Sequence, residues 1–124
     1  MTVVADTTFL VDGRRRKPGA ARLAERFHKE RTRILIPTIC LAEFLAGSAY
    51  VDGDLELANR AGQVVNFTAD DARSAARLAR LMMGRGEFPG WSDVMIAGVA
   101  ENRGGLPVVT RDPKHFPESK TMTY

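Results

Sequence analysis

The sequence predicts an α/β fold, a three-layer α/β/α sandwich around a central, mainly parallel sheet. Three observations predict it. Short apolar runs recur at Thr2–Ala5, Ile34–Ile36, Val64–Phe67 and Leu106–Thr110. Stretches with helical spacing separate them. The runs are apolar at consecutive positions instead of alternating, as strands covered on both faces are.

The elements follow in order. Thr2 to Ala5 is a first buried strand ending at Asp6, and Thr7 to Asp12 continues into a turn or short helix. Gly13 to Gly19, with Arg14-Arg15-Arg16-Lys17 before Pro18, reads as a loop. Ala20 to Lys29 has apolar positions at 20, 23, 24 and 27, a helical spacing. Ile34 to Ile36 is a strand stopped by Pro37, Thr38 to Ala49 a helix, and Asp52-Gly53 a turn signal. Leu55 to Ala61 is a short helix ended by Gly62, before the strand from Val64. Thr68 is placed to cap a helix to about Met83, with Asp71 three residues on. Its apolar positions are 72, 75, 76, 79, 82 and 83, with Arg73, Arg77 and Arg80 on another face. Gly84 to Trp91 is a loop, and Ser92 is the expected cap of a helix from Asp93 to Asn102. Gly104-Gly105 ends that helix before the fourth strand, and Thr121 to Tyr124 offers a short last one.

A chain of 124 residues suits one domain over residues 1–124. A hydrophobic fraction of 44% and a charged fraction of 27% are those of a globular protein. No apolar stretch approaches a membrane span, and the opening residues lack the basic start and apolar stretch of a signal peptide, so the expectation is a cytoplasmic protein with no membrane partner. Cys40 is the only cysteine, which excludes an internal disulfide and a cysteine zinc site. It lies among Ile39, Leu41 and Ala42, where a buried thiol is expected. The net charge is +3, and fourteen of the eighteen basic residues are Arg, which suits phosphate recognition without demanding it.

Function is carried by acids. Asp6 ends the first strand, and Asp112 follows Val108-Val109-Thr110 by two residues, so both fall at the carboxyl ends of strands, where open parallel sheets bind ligands. Glu43 has Ile39, Cys40, Ala46 and Gly47 as its helical neighbours, and a carboxylate on an apolar face needs a partner. Asp93 opens a helix whose next turn on that face is Ile96, Ala97 and Ala100. No Lys or Arg on either face neutralises these acids. Four acids without basic neighbours describe an oxygen-rich site for a hard divalent cation, Mg²⁺ or Mn²⁺. Each alone has a plainer reading, as a strand-end turn, a helix-dipole partner or a turn before Pro113.

Four segments resemble the motifs of one family. Val-Val-Ala-Asp-Thr-Thr at 3–8, Leu-Ala-Glu-Phe at 41–44, Ser-Asp-Val-Met-Ile-Ala at 92–97 and Val-Val-Thr-Arg-Asp-Pro-Lys-His-Phe at 108–116 resemble the four motifs of the PIN domain, and more narrowly those of VapC toxins of toxin–antitoxin pairs. The match spans nearly the whole chain in order. The resemblance implies a PIN-like sandwich and a Mg²⁺-dependent endoribonuclease. It implies Asp6 and Asp93 as the main metal ligands, with Glu43 and Asp112 completing the acidic pocket, and hydroxyls at Thr7 and Thr110 supporting the metal or its waters. It also implies a toxin homodimer, or a heterotetramer or larger complex with a VapB-type antitoxin whose tail lies across the pocket. Residues 50–64 are short for the family.

Rival readings are a PIN-like module that binds RNA or protein without cutting, a DNA-cutting member of the wider fold, and an aspartyl phosphatase of the haloacid dehalogenase type. The last wants a second Asp two residues after the first, where this chain has Thr8. Arg14 to Lys17 reads more simply as a solvated loop than as a phosphate grip. The Arg73, Arg77 and Arg80 stripe reads as a solvated face. Trp91 has the chemistry to stack a base, although core or interface packing is the simpler expectation. His115, in a turn before Phe116, is expected to be structural, and Met82 and Met83 are expected in the core or facing a partner.

Overall fold

Val3, Val4 and Ala5 are completely buried, as are Val108 and Val109, and these two runs lie side by side at the centre of the sheet. In the computed structural model, which describes residues 1–124, β1 (Thr2–Ala5) pairs with β2 (Arg33–Pro37) on one side and β4 (Val108–Val109) on the other. The edges are β3 (Gln63–Val65) and β5 (Thr121–Met122), and the order is β3-β2-β1-β4-β5 with every pairing parallel.

The chain runs outward from β1 through β2 to β3, then returns past β1 to β4. Between β1 and β2 come α1 (Thr7–Arg14) and α2 (Pro18–Lys29); between β2 and β3 come α3 (Thr38–Ala46) and α4 (Val51–Ala61); between β3 and β4 come α5 (Ala69–Gly84) and α6 (Trp91–Asn102). Crossovers between parallel strands are right-handed as a rule, so connections that leave β1 in opposite directions place helices on both faces, which gives the predicted sandwich. They also create a switch point between β1 and β4, the crevice where such sheets bind ligands. Asp6 and Thr110 stand at that crevice.

Several boundaries differ from the sequence reading. Residues 13 and 14 belong to α1, and Lys17 is the N-cap of α2 with Pro18 in its first turn, where proline's fixed φ suits a helix start. The loop shrinks to three residues, turned by Arg16 at φ 55°. Asp52-Gly53 lies inside α4, because Asp52 and Asp54 occupy its first turn, where the helix dipole favours anions. Helix α3 stops at Ala46, capped by Gly47, and α6 starts at Trp91 with Gly90 as its N-cap, so Ser92 is not the cap. Gly90 has φ 118°, a conformation that favours glycine. Phe67 lies beyond β3, its N–H donating to Thr38 Oγ1 at 3.3 Å. The buried face of α5 is Asp71, Ala75, Leu78, Ala79 and Met82, whereas Ala72, Ala76 and Met83 are exposed.

The predicted capping box is present: Thr68 Oγ1 accepts the Asp71 N–H at 3.1 Å, and Asp71 Oδ2 accepts the Thr68 N–H at 2.9 Å. Arg14, read as part of a solvated loop, is packed inward. Its guanidinium lies 4.4 Å from the Phe44 ring centroid and pairs with Asp54 at 2.9 Å. The Arg73, Arg77 and Arg80 stripe is exposed as expected, with Arg77 paired to Glu101. No helix is long and apolar enough to cross a membrane.

Helix α6 is buried on all sides at Val94, Ile96, Ala97, Gly98, Val99 and Ala100, as a helix covered by both sheet and neighbouring helix must be. Gly98 sets its spacing from α5. A Cβ there would stand 2.8 Å from Ala75 Cβ, Ala75 N and the Asp71 carbonyl oxygen. Two of those atoms are backbone, so the helices would have to part. Gly98→Ala is expected to cost about 1–3 kcal/mol, lowering the thermal midpoint by roughly 3–6 °C per kcal/mol. Thermal unfolding followed by circular dichroism measures it, and an unchanged midpoint would refute this account of the packing.

Candidate active site

Asp6 is the residue after β1 and the N-cap of α1, so its position is fixed by both elements. Its carboxylate is 4% exposed and accepts three hydrogen bonds, two of them on one oxygen. Oδ1 accepts the Thr7 N–H at 2.8 Å; Oδ2 accepts the hydroxyls of Thr8 at 2.9 Å and Thr110 at 2.8 Å. The Thr110 bond crosses the switch point and joins β4 to β1. Thr110 Oγ1 also accepts the Asp112 N–H at 3.0 Å, which ties the start of the next turn to the same hydroxyl.

Glu43 projects from α3. Its Oε1 accepts hydroxyl protons from Thr7 at 2.7 Å and Ser92 at 2.9 Å, so α1, α3 and α6 meet on one carboxylate oxygen. The sequence reading placed Glu43 on a buried apolar face. In the structure it is exposed, as are Ala42, Ala46 and Gly47 around it, so desolvation does not by itself demand a counter-ion there. The absence of a basic partner does hold, since hydroxyls take that place.

Asp93 lies in the first turn of α6, with its side chain 22% exposed and Oδ2 3.4 Å from His115 Nδ1. Burial raises its carboxyl above the ordinary range, and the charge of Asp6 raises it further. His115 opposes the shift, while Glu43 and Asp112 add to it. One carboxyl therefore senses the other three: the four acids share one electrostatic neighbourhood with an excess of negative charge. Asp112 sits at the start of a 3₁₀ turn (Pro113–His115), its side chain unused in capping it. No three His, Cys, Asp or Glu side chains are close enough to form a preassembled ligand cluster, so the arrangement is open.

Thr7 and Thr110 deliver their hydroxyls to Glu43 and Asp6, the carboxylates themselves. Sequence reasoning missed Thr8 and Ser92 as donors. It expected His115 to be structural, and the structure sets it beside Asp93. Cys40 is buried as expected, its Sγ donating to the Ala5 carbonyl at 3.2 Å, and burial followed by the charge of Asp6 pushes its thiol well up, which leaves it inert. Trp91 is 55% exposed, at the N-terminus of α6, its ring packed edge-on to Phe88 with centroids 5.4 Å apart.

Residues 3–119 match the PIN domain model. The chain belongs to the PIN domain family. Among solved PIN-fold structures it is similar to the VapBC2 complex of Rickettsia felis bound to a DNA fragment from its promoter, with TM-score 0.85, 22% identity, and coverage of 100% of this chain and 99% of that one. It is similar to DNA-bound VapBC from Salmonella typhimurium at TM-score 0.83 and 25% identity, covering 99% and 98% of the two chains. It is similar also to VapBC-5 of Mycobacterium tuberculosis at 0.69 and 22%, covering 98% and 96%. No curated protein matches the sequence. The PIN fold accounts for the position of the acids: at its switch point Asp6 directly follows β1 and Asp112 lies three residues beyond β4, while α3 and α6 carry Glu43 and Asp93.

Proposed function

We propose that this chain is the VapC-type toxin of a toxin–antitoxin pair, and that it hydrolyses RNA phosphodiester bonds with Mg²⁺, for which Mn²⁺ can substitute. The observation that carries the reading is the gathering of Asp6, Glu43, Asp93 and Asp112 at the switch point, where the Asp93 carboxyl is raised first by burial and then by its acidic neighbours. Full-length likeness to VapBC complexes supports the toxin assignment.

The donor set fits a hard cation. It is all carboxylate and hydroxyl oxygen, the donor type that Mg²⁺ takes, and none of the four acids is paired with Lys or Arg; only Asp93 has a basic neighbour, His115. Asp6 and Asp93 would hold the ion; Glu43 and Asp112 would hold a second ion or orient the attacking water. When bound, the cation supplies an acidified water and offsets charge on the phosphate. Asp6 is kept in one orientation by its three donors. Glu43, anchored through Oε1, keeps Oε2 available to a water. The antitoxin would be the protein partner, its tail lying across the acidic pocket.

Purified protein should cut single-stranded RNA with Mg²⁺, lose that activity in EDTA, and regain it with Mn²⁺. Cleavage that persists in EDTA would overturn the metal assignment. The open spacing of the acids is the one feature that favours a binding module, and RNA left intact at every Mg²⁺ and Mn²⁺ concentration would decide for it.

A further inference from the structure

Arg111 lies between Thr110 and Asp112, and its main-chain N–H donates to Thr8 Oγ1 at 3.0 Å, the hydroxyl that donates to Asp6. Its Nη1 donates to Asp12 Oδ1 at 2.8 Å. Asp12 is on α1 and only 2% exposed, and its other oxygen accepts the Tyr124 hydroxyl at 2.6 Å. Tyr124 is itself fixed, its ring 5.5 Å from that of Phe9. Asp12 thus belongs to the core, while the Arg111 side chain remains 52% exposed.

A pair of this shape does more than neutralise a buried carboxylate. Asp12 engages one nitrogen of the five-donor guanidinium, and the side chain, on the residue that precedes Asp112, stays 52% exposed. The residue is tied at backbone and side chain, so little rotamer freedom remains to be lost on binding. A polyanion approaching four carboxylates needs positive charge at the rim. His115 is turned toward Asp93, and Lys114 is exposed with no anchor. Of the three basic residues at 111, 114 and 115, Arg111 is the one anchored at both backbone and side chain without being spent on the four acids.

We infer that Arg111 binds an RNA phosphate flanking the scissile one, and that Asp12 is a positioning residue that aims it. The inference rests on the proposed RNA hydrolysis. The test is steady-state cleavage of single-stranded RNA by the full chain in Mg²⁺, across a salt series. Arg111→Ala should raise KM about tenfold with kcat changed less than about threefold, and should reduce the slope of log KM against log salt by about 0.7, the loss of one single-strand phosphate contact. Arg111→Lys should restore the slope but only part of the KM. Asp12→Asn should raise KM with the slope intact, because the freed arginine keeps its charge. Removing Arg111 alone strands a buried carboxylate, so Asp12→Asn/Arg111→Ala, which removes both charges, guards against misfolding and should reproduce the KM and slope of Arg111→Ala. Wild-type cleavage together with an unchanged KM and slope in the double variant overturns this inference alone. A fall in kcat at constant KM also overturns it, since that is the mark of a disturbed acid site. No cleavage by wild type overturns the hydrolase reading and this inference with it.

Discussion

Asp93→Asn is expected to lower the proposed RNA cleavage by about a thousandfold while leaving the metal-free protein as stable as wild type, or slightly more so. The two halves have one cause. Without a cation, the Asp93 carboxylate is partly buried and repelled by Asp6, Glu43 and Asp112, with only His115 to oppose them. An isosteric amide removes that repulsion. With a cation, the same charge becomes a ligand. Losing one of two principal ligands forfeits several kcal/mol of transition-state stabilisation, and each 1.36 kcal/mol is tenfold in rate. Thermal unfolding separates this from a folding defect. Wild type should gain roughly 2.7 kcal/mol at Mn²⁺ one hundredfold above its Kd, and Asp93→Asn should gain far less. Full activity in Asp93→Asn, or an undiminished Mn²⁺ shift, would remove Asp93 from the ligand set. Asp6→Asn should show the same loss of rate but a cost in stability as well, because Asp6 also accepts three hydrogen bonds that join α1 to β4.

What the sequence revealed, and what it hid, divides by the range of the interactions. The buried strands were legible because continuous apolar runs such as Val3-Val4-Ala5 have few other uses, and Asp6 was legible as the polar residue that ends one. The Thr68–Asp71 box was legible because both partners lie within one turn. Asp52-Gly53 misled, since a turn signal and a helix's acidic first turn use the same residues. Glu43 misled differently: Cys40 on the preceding turn is buried, but Ala46 and Gly47 on the following turn are small and exposed, and Glu43 lies with them at the surface. The links between motifs are tertiary. Thr110 reaches Asp6 across 104 positions and Arg111 reaches Asp12 across 99, and no local pattern marks either pair. The chemistry of the site was therefore readable as a set of acids, while the hydroxyls that orient them were not.

The largest stability effect is expected from an acid outside that site. Asp71 is completely buried. Its Oδ2 closes the capping box on Thr68, and its Oδ1 accepts Asn102 Nδ2 at 2.9 Å and Arg103 Nη1 at 2.6 Å, so one side chain joins the start of α5 to the end of α6. Asp71→Asn keeps the shape but removes the charge, and its one oxygen can serve either Asn102 and Arg103 or the Thr68 N–H, which leaves the amide nitrogen against a donor on the other side. Breaking a buried pair costs about 3–5 kcal/mol. Arg103 is 26% exposed and can turn to water, which places the expected loss near the lower end, about 3 kcal/mol. Burial pushes the Asp71 carboxyl up, but the Thr68 N–H, Arg103 and Asn102 outweigh it and hold the carboxyl below its ordinary value of 3.8. The unfolded chain therefore takes up this proton first as pH falls. The stability that Asp71 contributes is complete at neutral pH, begins to fade near pH 4, and is lost as pH drops through the lowered native value. Urea unfolding of wild type and Asp71→Asn between pH 7 and pH 3 measures this directly. The gap in unfolding free energy should be constant down to about pH 5 and close below pH 4 at an unchanged m-value. A gap that persists undiminished at pH 3 would mean that shape, and not charge, is what Asp71 supplies between the two helices.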